Sequence, residues 1–206
     1  MPELTLHAST QMTVHTSSAL PFLKKMGIKR VVLSREYSKK AIEEICNKAK
    51  ELDLETEVFV HGAHCMSTSG NCYLSAMLGE RSGNRGLCAQ GCRLNWTNTH
   101  GREYALSLKD MSYLDNIKDL MEIGIDSFKI EGRMKSIHYV STVSNVYKRA
   151  VDAYLESPEA FHAIKPALVD ELWKVAQREL ATGFYYQTPS ENEQLFGARR
   201  KIPQYK

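Results

Sequence analysis

Short apolar runs alternate with helix-like segments along most of the chain, and this alternation is the strongest constraint on its fold. The candidate strands are LTLHA (4–8), KRVVLS (29–34), TEVFVH (56–61), EYALSL (103–108) and DSFKIE (126–131). Helical patterns lie between or after them, at 19–27, 38–52, 108–124, 136–156 and 157–180. Repeated strand–helix–strand spacing is typical of parallel βαβ units, so the sequence predicts an α/β fold.

Polar side chains stand near the ends of four of these apolar runs. They are His7, Ser9 and Gln11, then Arg35 and Glu36, then His61 and His64, and finally Lys129, Glu131 and Arg133. The active site of a (β/α) barrel lies at the carboxyl ends of its strands, and eight such strands typically take about 250 residues. A chain of 206 residues therefore predicts a partial TIM-like barrel that holds the C-terminal strands only.

Residues 62–102 interrupt the alternation with a segment rich in Gly, Ser, Asn and Arg. A loop of this length is uncommon in a compact domain unless it has a function. We therefore expect a partial barrel domain over residues 1–156 that carries a cysteine-rich loop at 62–102. A C-terminal helix and a peripheral extension should follow at 157–206.

Four of the five cysteines lie in this loop with the spacing C-x6-C-x15-C-x3-C: Cys65, Cys72, Cys88 and Cys92. Only the last pair has the short separation typical of zinc sites, whereas iron–sulfur clusters are held by four thiolates at more varied spacings. The spacing favours an iron–sulfur cluster. The alternatives are zinc, a nucleophilic thiol with His61 or His64 as its base, or four unconnected thiols. Cys46 falls on the apolar face of a predicted helix, which indicates a core residue.

The composition is that of a globular protein, with 43% hydrophobic and 25% charged residues. No apolar stretch approaches the roughly 20 residues of a membrane span, and no signal-peptide pattern opens the sequence. We therefore expect a cytoplasmic protein without a membrane partner, in a compartment where thiols stay reduced.

Basic residues are concentrated around the cysteines. Four arginines and no acidic residue lie between positions 81 and 102: Arg81, Arg85, Arg93 and Arg102. An ordinary solvated surface would explain such residues, but their position around a thiol-rich loop favours a function. They would offset thiolate charge or hold the phosphates of a nucleic acid, which makes RNA a candidate partner.

Three segments carry a family resemblance. They are LTLHASTQMTVHTSSALPFLKKMGIKRVVLSREYS, EVFVHGAHCMSTSGNCYLSAMLGERSGNRGLCAQGCRLNW and SFKIEGRMKSIHYVSTVSNVYKRAVDAYL. Together they resemble the collagenase-like peptidase family U32 up to about residue 155, and RELATGFYY is similar to its downstream segment. The elements H-G-x-x-C, C-x-x-x-C and K-I-E-G-R-M-K in this order are highly specific to that family.

The resemblance implies an activity and a cofactor. Characterised members include oxygen-independent hydroxylases that modify the wobble uridine of tRNA or a cytidine of ribosomal RNA, and others that act in anaerobic ubiquinone synthesis. Such members hold a 4Fe-4S cluster, and by motif position its ligands here would be Cys65, Cys72, Cys88 and Cys92. A small-molecule hydroxyl donor would be a further partner.

The resemblance also assigns pocket residues. Arg35, Glu36, Lys129, Glu131 and Arg133 become candidate catalytic residues, with Lys129 or Arg133 binding an anionic group and Glu131 orienting it. The candidate substrate-binding residues are His7, Ser9, Gln11, His61, His64, Arg81, Arg85, Arg93 and Arg102.

Two other functions stay open. The family name favours a collagenase-like peptidase, although the sequence has no standard protease arrangement. Family members usually carry several β/α units before the stretch that matches HASTQ, and nothing in this sequence matches them. This difference favours a non-catalytic module, or a barrel that a partner chain or self-association completes.

Overall fold

The computed structural model describes residues 3–186 and 195–200, and within them it is a mixed α/β fold. Six strands form one sheet: β1 (Leu6–Ala8), β2 (Ile28–Val32), β3 (Glu55–Gly62), β4 (Asp110–Ser112), β5 (Ser127–Glu131) and β6 (Leu180–Ala181). The helices found in these residues are α1 (Leu20–Lys25), α2 (Lys39–Glu51), α3 (Leu74–Gly79), α4 (Ile117–Ile123), α5 (Ile137–Glu156) and α6 (Pro158–Val175). The predicted α/β class is confirmed.

Four of the strands run parallel and follow one another across the sheet in chain order. β1 pairs with β2, β2 with β3, and β3 with β5. β4 lies antiparallel against the end of β3, where Gly62 faces Met111, and β6 extends the sheet beyond β4. The carboxyl ends of the parallel strands therefore meet at one edge, which is where polar residues can form a site.

Helices α1, α2 and α5 contact strands β2, β3 and β5, respectively. Ser38 caps α2 by accepting a hydrogen bond from the Ala41 N–H at 3.4 Å, and the predicted apolar face of that helix is buried, including Cys46. α5 and α6 pack together through an edge-to-face contact between Tyr154 and Phe161, whose ring centroids lie 6.3 Å apart. This packing places one continuous apolar core between helices and sheet.

The predicted strand at 103–108 is wrong. Residues 103–106 form a turn, and Leu108 makes only an isolated bridge to Phe196. Hydrogen bonds join this segment to the cysteine loop. The Ala105 N–H donates to the Trp96 carbonyl at 2.8 Å, and the Tyr104 N–H donates to Asn95 Oδ1 at 3.1 Å. Regular pairing with the sheet begins only at β4.

The predicted helix at 108–124 is also too long, because its first part is β4 and only α4 is α-helical. The predicted C-terminal helix is present as α6, and the chain after it returns to the sheet as β6. Residues 187–194 and 201–206 of the predicted extension lie outside the described residues. The division at residue 156 stays a prediction.

In the described part of the chain, no helix combines the length and the apolar character that crossing a membrane requires.

Candidate functional site

A cavity of about 510 Å³ lies where the cysteine loop covers the ends of the parallel strands. Its walls include all four loop cysteines, Cys65, Cys72, Cys88 and Cys92, and each of them is a free thiol. The sequence places these residues up to 27 positions apart, yet the fold brings them around one space. We call this space the thiol cavity.

Local hydrogen bonds fix the Cys88 side of the loop. The Ala89 N–H donates to Ser75 Oγ at 2.9 Å, which joins this segment to α3. The Gln90 N–H lies 3.4 Å from Cys88 Sγ, and Ser75 Oγ lies 3.9 Å from the same sulfur. Such donors toward a sulfur stabilise a thiolate and adjust the properties of a metal bound to it.

Contacts with the strand ends hold the other side of the loop. Glu36, just after β2, accepts hydrogen bonds from the Ser69 backbone N–H and, at 2.7 Å, from Ser69 Oγ. Gly70 packs closely on the segment after β1, because a Cβ there would lie 2.7 Å from Thr13 Cγ2 and 2.8 Å from the Thr10 carbonyl oxygen. The loop is thus attached to two neighbouring strand ends.

The four thiols lie near enough to influence one another. Burial raises the pKa of the Cys92 thiol, and Cys65, Cys88 and Cys72 act in the same direction, while Arg93 opposes them. A bound cation would reverse this balance, because metal binding requires and stabilises thiolates.

The number of donors fits a 4Fe-4S cluster, which takes four cysteine thiolates. The thiol cavity presents four, with backbone and hydroxyl donors beside Cys88. Among residues 3–186 and 195–200, no three His, Cys, Asp or Glu side chains converge closely enough to hold a single metal ion.

A buried charge network adjoins the thiols. Asp110, 1% exposed, pairs with Lys135 at 2.9 Å and with Arg178 at 3.1 Å, and Lys135 also donates to Gln177 Oε1 at 3.1 Å. Burial alone would raise the pKa of Asp110, but the two cations outweigh it and hold that pKa below its ordinary value. Two cations around one carboxylate leave net positive charge at the cavity wall, which favours an anionic occupant.

Sequence reasoning missed this network. Lys135 closes the K-I-E-G-R-M-K element, so a signal for it was present. Asp110 and Arg178 are 68 positions apart in the chain, and no local pattern joins them. Only the pairing of β4 with β6 brings them together.

Three of the predicted catalytic residues line the thiol cavity: Arg35, Glu131 and Arg133. The Arg35 guanidinium lies 4.2 Å from the centroid of the Phe59 ring and 3.7 Å from Glu131 Oε2. Its buried Nε has no hydrogen-bond partner. Arg133 lies against Gly86, where a Cβ would collide with the guanidinium. These contacts hold two cations and a carboxylate in the wall of the thiol cavity.

The other two predicted catalytic residues lie outside the cavity wall. Glu36 anchors the loop through Ser69, as described above. Lys129 pairs with the buried Glu57 at 2.7 Å, and Glu57 also accepts from Ser127 Oγ at 2.9 Å. Burial works against the Glu57 carboxylate, but Lys129, Ser127 and Arg30 together hold its pKa below the ordinary value. The roles of Glu36 and Lys129 in a reaction stay predictions.

The predicted substrate-binding residues divide into two groups. Gln11, His64 and Arg93 line the cavity, whereas His7, Ser9, His61, Arg81, Arg85 and Arg102 do not. Of the second group, His7 and the three arginines are exposed to solvent. Ser9 lies next to the cavity, because its hydroxyl bonds to the Gln11 side chain and accepts from the Gln11 N–H at 3.3 Å.

Both strand-end histidines are uncharged at neutral pH. Burial lowers the pKa of His61 and that of His64 to about 4. His61 lies in the core, where its Nδ1 is 3.4 Å from Tyr147 Oη. His64 packs edge-on against Phe184 with centroids 5.0 Å apart, and its Nε2 has no partner. Neutral rings cannot contribute positive charge to hold phosphates.

Fold and site together define an α/β protein that gathers four thiols and a cationic network at its strand ends. Comparison with known proteins then identifies the family: the profile of Peptidase family U32 matches residues 1–195, and the chain belongs to that family. No solved structure shows significant similarity to it.

The similar proteins differ in their named activities. The chain is 42% identical to the tRNA hydroxylation protein P1 of Bacillus subtilis, over 99% of this chain and 50% of that protein. It is 39% identical to the 23S rRNA 5-hydroxycytidine C2501 synthase of Escherichia coli, over 76% of this chain and 24% of that protein. A collagenase of Porphyromonas gingivalis is 37% identical over 72% of this chain and 40% of its own length. The chain spans about half the length of the first of these relatives.

Proposed function

We propose that this chain is the cluster-binding part of an iron–sulfur enzyme that hydroxylates RNA without oxygen. The observation that carries the proposal is that four free thiols line one cavity at the strand ends. The relatives named for tRNA and rRNA hydroxylation support the RNA class of substrate.

Cys65, Cys72, Cys88 and Cys92 would hold a 4Fe-4S cluster, which supplies electron-transfer or Lewis-acid chemistry when bound. The positive wall formed by Lys135, Arg178 and Asp110 would offset the negative charge of four thiolates. Arg35 and Arg133 would bind the anionic group of a small-molecule hydroxyl donor, and Glu131 would orient Arg35 through their ion pair.

The remaining cavity wall suits a nucleobase. Five carboxamide side chains line it: Gln11, Asn71, Asn84, Gln90 and Gln177. Carboxamides donate to and accept from base edges. Tyr73 also lines the cavity and is 69% exposed, which leaves its ring free for stacking. Sequence-specific RNA recognition uses unstacked bases held in this way, on aromatic rings and hydrogen-bonding groups.

The parallel strands β1, β2, β3 and β5 follow the strand order of a (β/α) barrel. We propose that they form part of such a barrel and that a partner segment or partner chain supplies the remaining strands. The greater length of the B. subtilis relative supports this assignment.

The cluster is tested by purifying the protein without oxygen and measuring iron, sulfide and the visible spectrum. We expect a brown protein with about four irons and four sulfides per chain. Replacing all four loop cysteines by alanine should abolish both. The matched control is Cys46→Ala, because Cys46 is buried on α2 and bonded to Thr56 at 3.5 Å, away from the cavity. Iron retained by the fourfold variant, or absent from the wild type, contradicts the cluster.

The activity is tested in a bacterium that lacks its own RNA-hydroxylating relatives. Expression of the chain, with its completing segment where one is needed, should restore hydroxylated pyrimidine in tRNA or rRNA, detected by mass spectrometry of digested RNA. The fourfold cysteine variant should not. If RNA is unmodified both in the strain that expresses the chain and in the strain that expresses the fourfold variant, the proposal is refuted.

The second candidate function is a collagenase-like peptidase, which the P. gingivalis relative favours. Incubation with gelatin separates the two. Cleavage that survives loss of all four loop cysteines would favour the peptidase, whereas intact gelatin beside hydroxylated RNA would favour the hydroxylase.

A further inference from the structure

Arg93 makes contacts that differ from those of the other arginines in the cysteine loop. Its guanidinium donates hydrogen bonds to the backbone carbonyls of His64 and Leu108, and to Ser107 Oγ at 3.2 Å. Arg81 and Arg85 are exposed on the same loop and do not line the cavity. The Arg93 guanidinium is therefore hydrogen-bonded to acceptors within the protein.

The acceptors lie at both ends of the loop. His64 immediately precedes Cys65, and Arg93 itself immediately follows Cys92. Ser107 and Leu108 stand just before β4, where the chain rejoins the sheet. One side chain thus connects the residue beside the first cysteine, the residue beside the last cysteine and the return to the sheet.

The chemistry of these contacts requires a guanidinium. Its planar group presents five N–H donors in a fixed arrangement and can serve separate acceptors at once, whereas a lysine ammonium is a compact charge on a flexible stem. Hydrogen bonds from a charged donor are also stronger than neutral ones. Lysine at this position would keep the charge without reaching all three acceptors.

We propose that Arg93 is a positioning residue that holds Cys65 and Cys92 in place in the wall of the thiol cavity, and that it does not contact RNA phosphates. This proposal rests on the proposed function only in the identity of the group that the cysteines bind. The geometry itself belongs to the protein without a cofactor.

The test uses the iron-free protein under reducing conditions and compares the alkylation rates of individual cysteines by mass spectrometry. The variants are Arg93→Ala and Arg93→Lys, and the matched control is Arg85→Ala on the same loop. Per thiolate, we expect Cys65 and Cys92 to react about tenfold faster in Arg93→Ala, because loss of a charged hydrogen bond is of this order. The pH dependence of each alkylation rate supplies the thiolate fraction, which loss of the Arg93 charge would itself lower at Cys92. Cys72 and Cys88 should change little, Arg93→Lys should fall between wild type and Arg93→Ala, and Arg85→Ala should match the wild type.

Selectivity separates positioning from general stability. If all four thiols react faster together, or if none changes, the proposal is overturned. The same holds if Arg93→Ala weakens RNA binding while leaving every alkylation rate unchanged, since that result assigns Arg93 to phosphates. If Arg93→Ala does not fold, the alkylation rates of Arg93→Lys provide the test. Since no iron is involved, failure of the cluster proposal would leave this measurement intact.

Discussion

His61 lies in the core at the end of β3, with its ring 5.5 Å from Tyr147 and 6.0 Å from Tyr139 between centroids. Burial lowers its pKa to about 4, Lys135 acts in the same direction, and Asp110 opposes them. An unfolded chain protonates histidine near pH 6.5. Between these values the unfolded state binds the extra proton, so stability is full above about pH 6.5 and falls as the pH drops toward 4.

We therefore expect His61 to account for about 3 kcal/mol of acid destabilisation over this range. Urea unfolding at pH 7 and pH 4.5 measures it. His61→Phe should show a smaller loss between the two pH values than the wild type, and His100→Gln, in the exposed part of the cysteine loop, should show the same loss. An equal loss in His61→Phe would contradict the assignment.

Tyr73 offers a second test at the scale of a residue. If a base stacks on its exposed ring, Tyr73→Ala should weaken binding of a single-stranded RNA loop by about tenfold or more, because stacking contributes about 1–3 kcal/mol per base. Tyr73→Phe keeps the ring and should bind as the wild type does. Fluorescence anisotropy with a labelled RNA hairpin provides the measurement, and equal affinities for all three proteins would remove Tyr73 from the proposed base site.

The sequence identifies functional residues more readily than it identifies the groups that they contact. Motifs in the sequence identify the four cysteines, Arg35 and Glu131, and the structure places all of them around one cavity. Arg93 is a predicted substrate contact, but its partners are two backbone carbonyls and the Ser107 hydroxyl, which no sequence pattern reveals.

Among the elements, β3 and β5 approach each other closely at Gly62. Its φ is +114°, and a Cβ there would lie 2.9 Å from Glu131 Cβ. Gly62→Ala should therefore combine backbone strain with overpacking and reduce the free energy of unfolding by about 3 kcal/mol. Gly27→Ala is the control, because Gly27 has φ +79° but open space around it, and should cost only about 1 kcal/mol.

Urea unfolding of both variants checks this comparison. Equal costs would mean that backbone conformation, not the approach of the two strands, limits position 62. Gly62→Ala should also disturb the ion pair between Arg35 and Glu131 Oε2, which lie 3.7 Å apart.

Elements with strong periodicity were predicted correctly, and those that depend on distant partners were not. The apolar face of α2 is a local pattern, and so is its Ser38 cap. Residues 103–108 alternate like a strand, yet the backbone N–H groups of Tyr104 and Ala105 donate to Asn95 and Trp96 and not to a neighbouring strand. β6 has only two residues and could not be recognised without its partner β4.

At the scale of the whole molecule, apolar side chains are exposed beside both ends of the parallel sheet. Leu6 of β1 is 45% exposed, and Phe22 of α1 is exposed nearby in the chain. At the other end, β5 pairs only with β3 among the described residues, and Ile137 at the start of α5 is 90% exposed. Exposed strand edges of this kind promote association with further strands.

We expect the isolated chain to self-associate through these surfaces. Sedimentation velocity over a range of concentrations should show dimers or larger species, and the double substitution Leu6→Lys and Ile137→Lys should shift the population toward monomer. Lys174→Glu, on the exposed side of α6, should leave the distribution unchanged. A monomer at all concentrations would contradict self-association and leave only a different partner segment or chain to complete the sheet.

The cysteine loop leaves the sheet at Gly62 and returns to it at Met111, and these two residues face each other across paired strands. The pairing of β3 with β4 therefore closes the loop between them. The entropic cost of this closure depends only weakly on the length of the loop. For the proposed cluster this predicts a fixed order of assembly: the protein folds first, and the four cysteines line the cavity before iron and sulfide bind. Cluster binding would then be a late step that requires the folded protein.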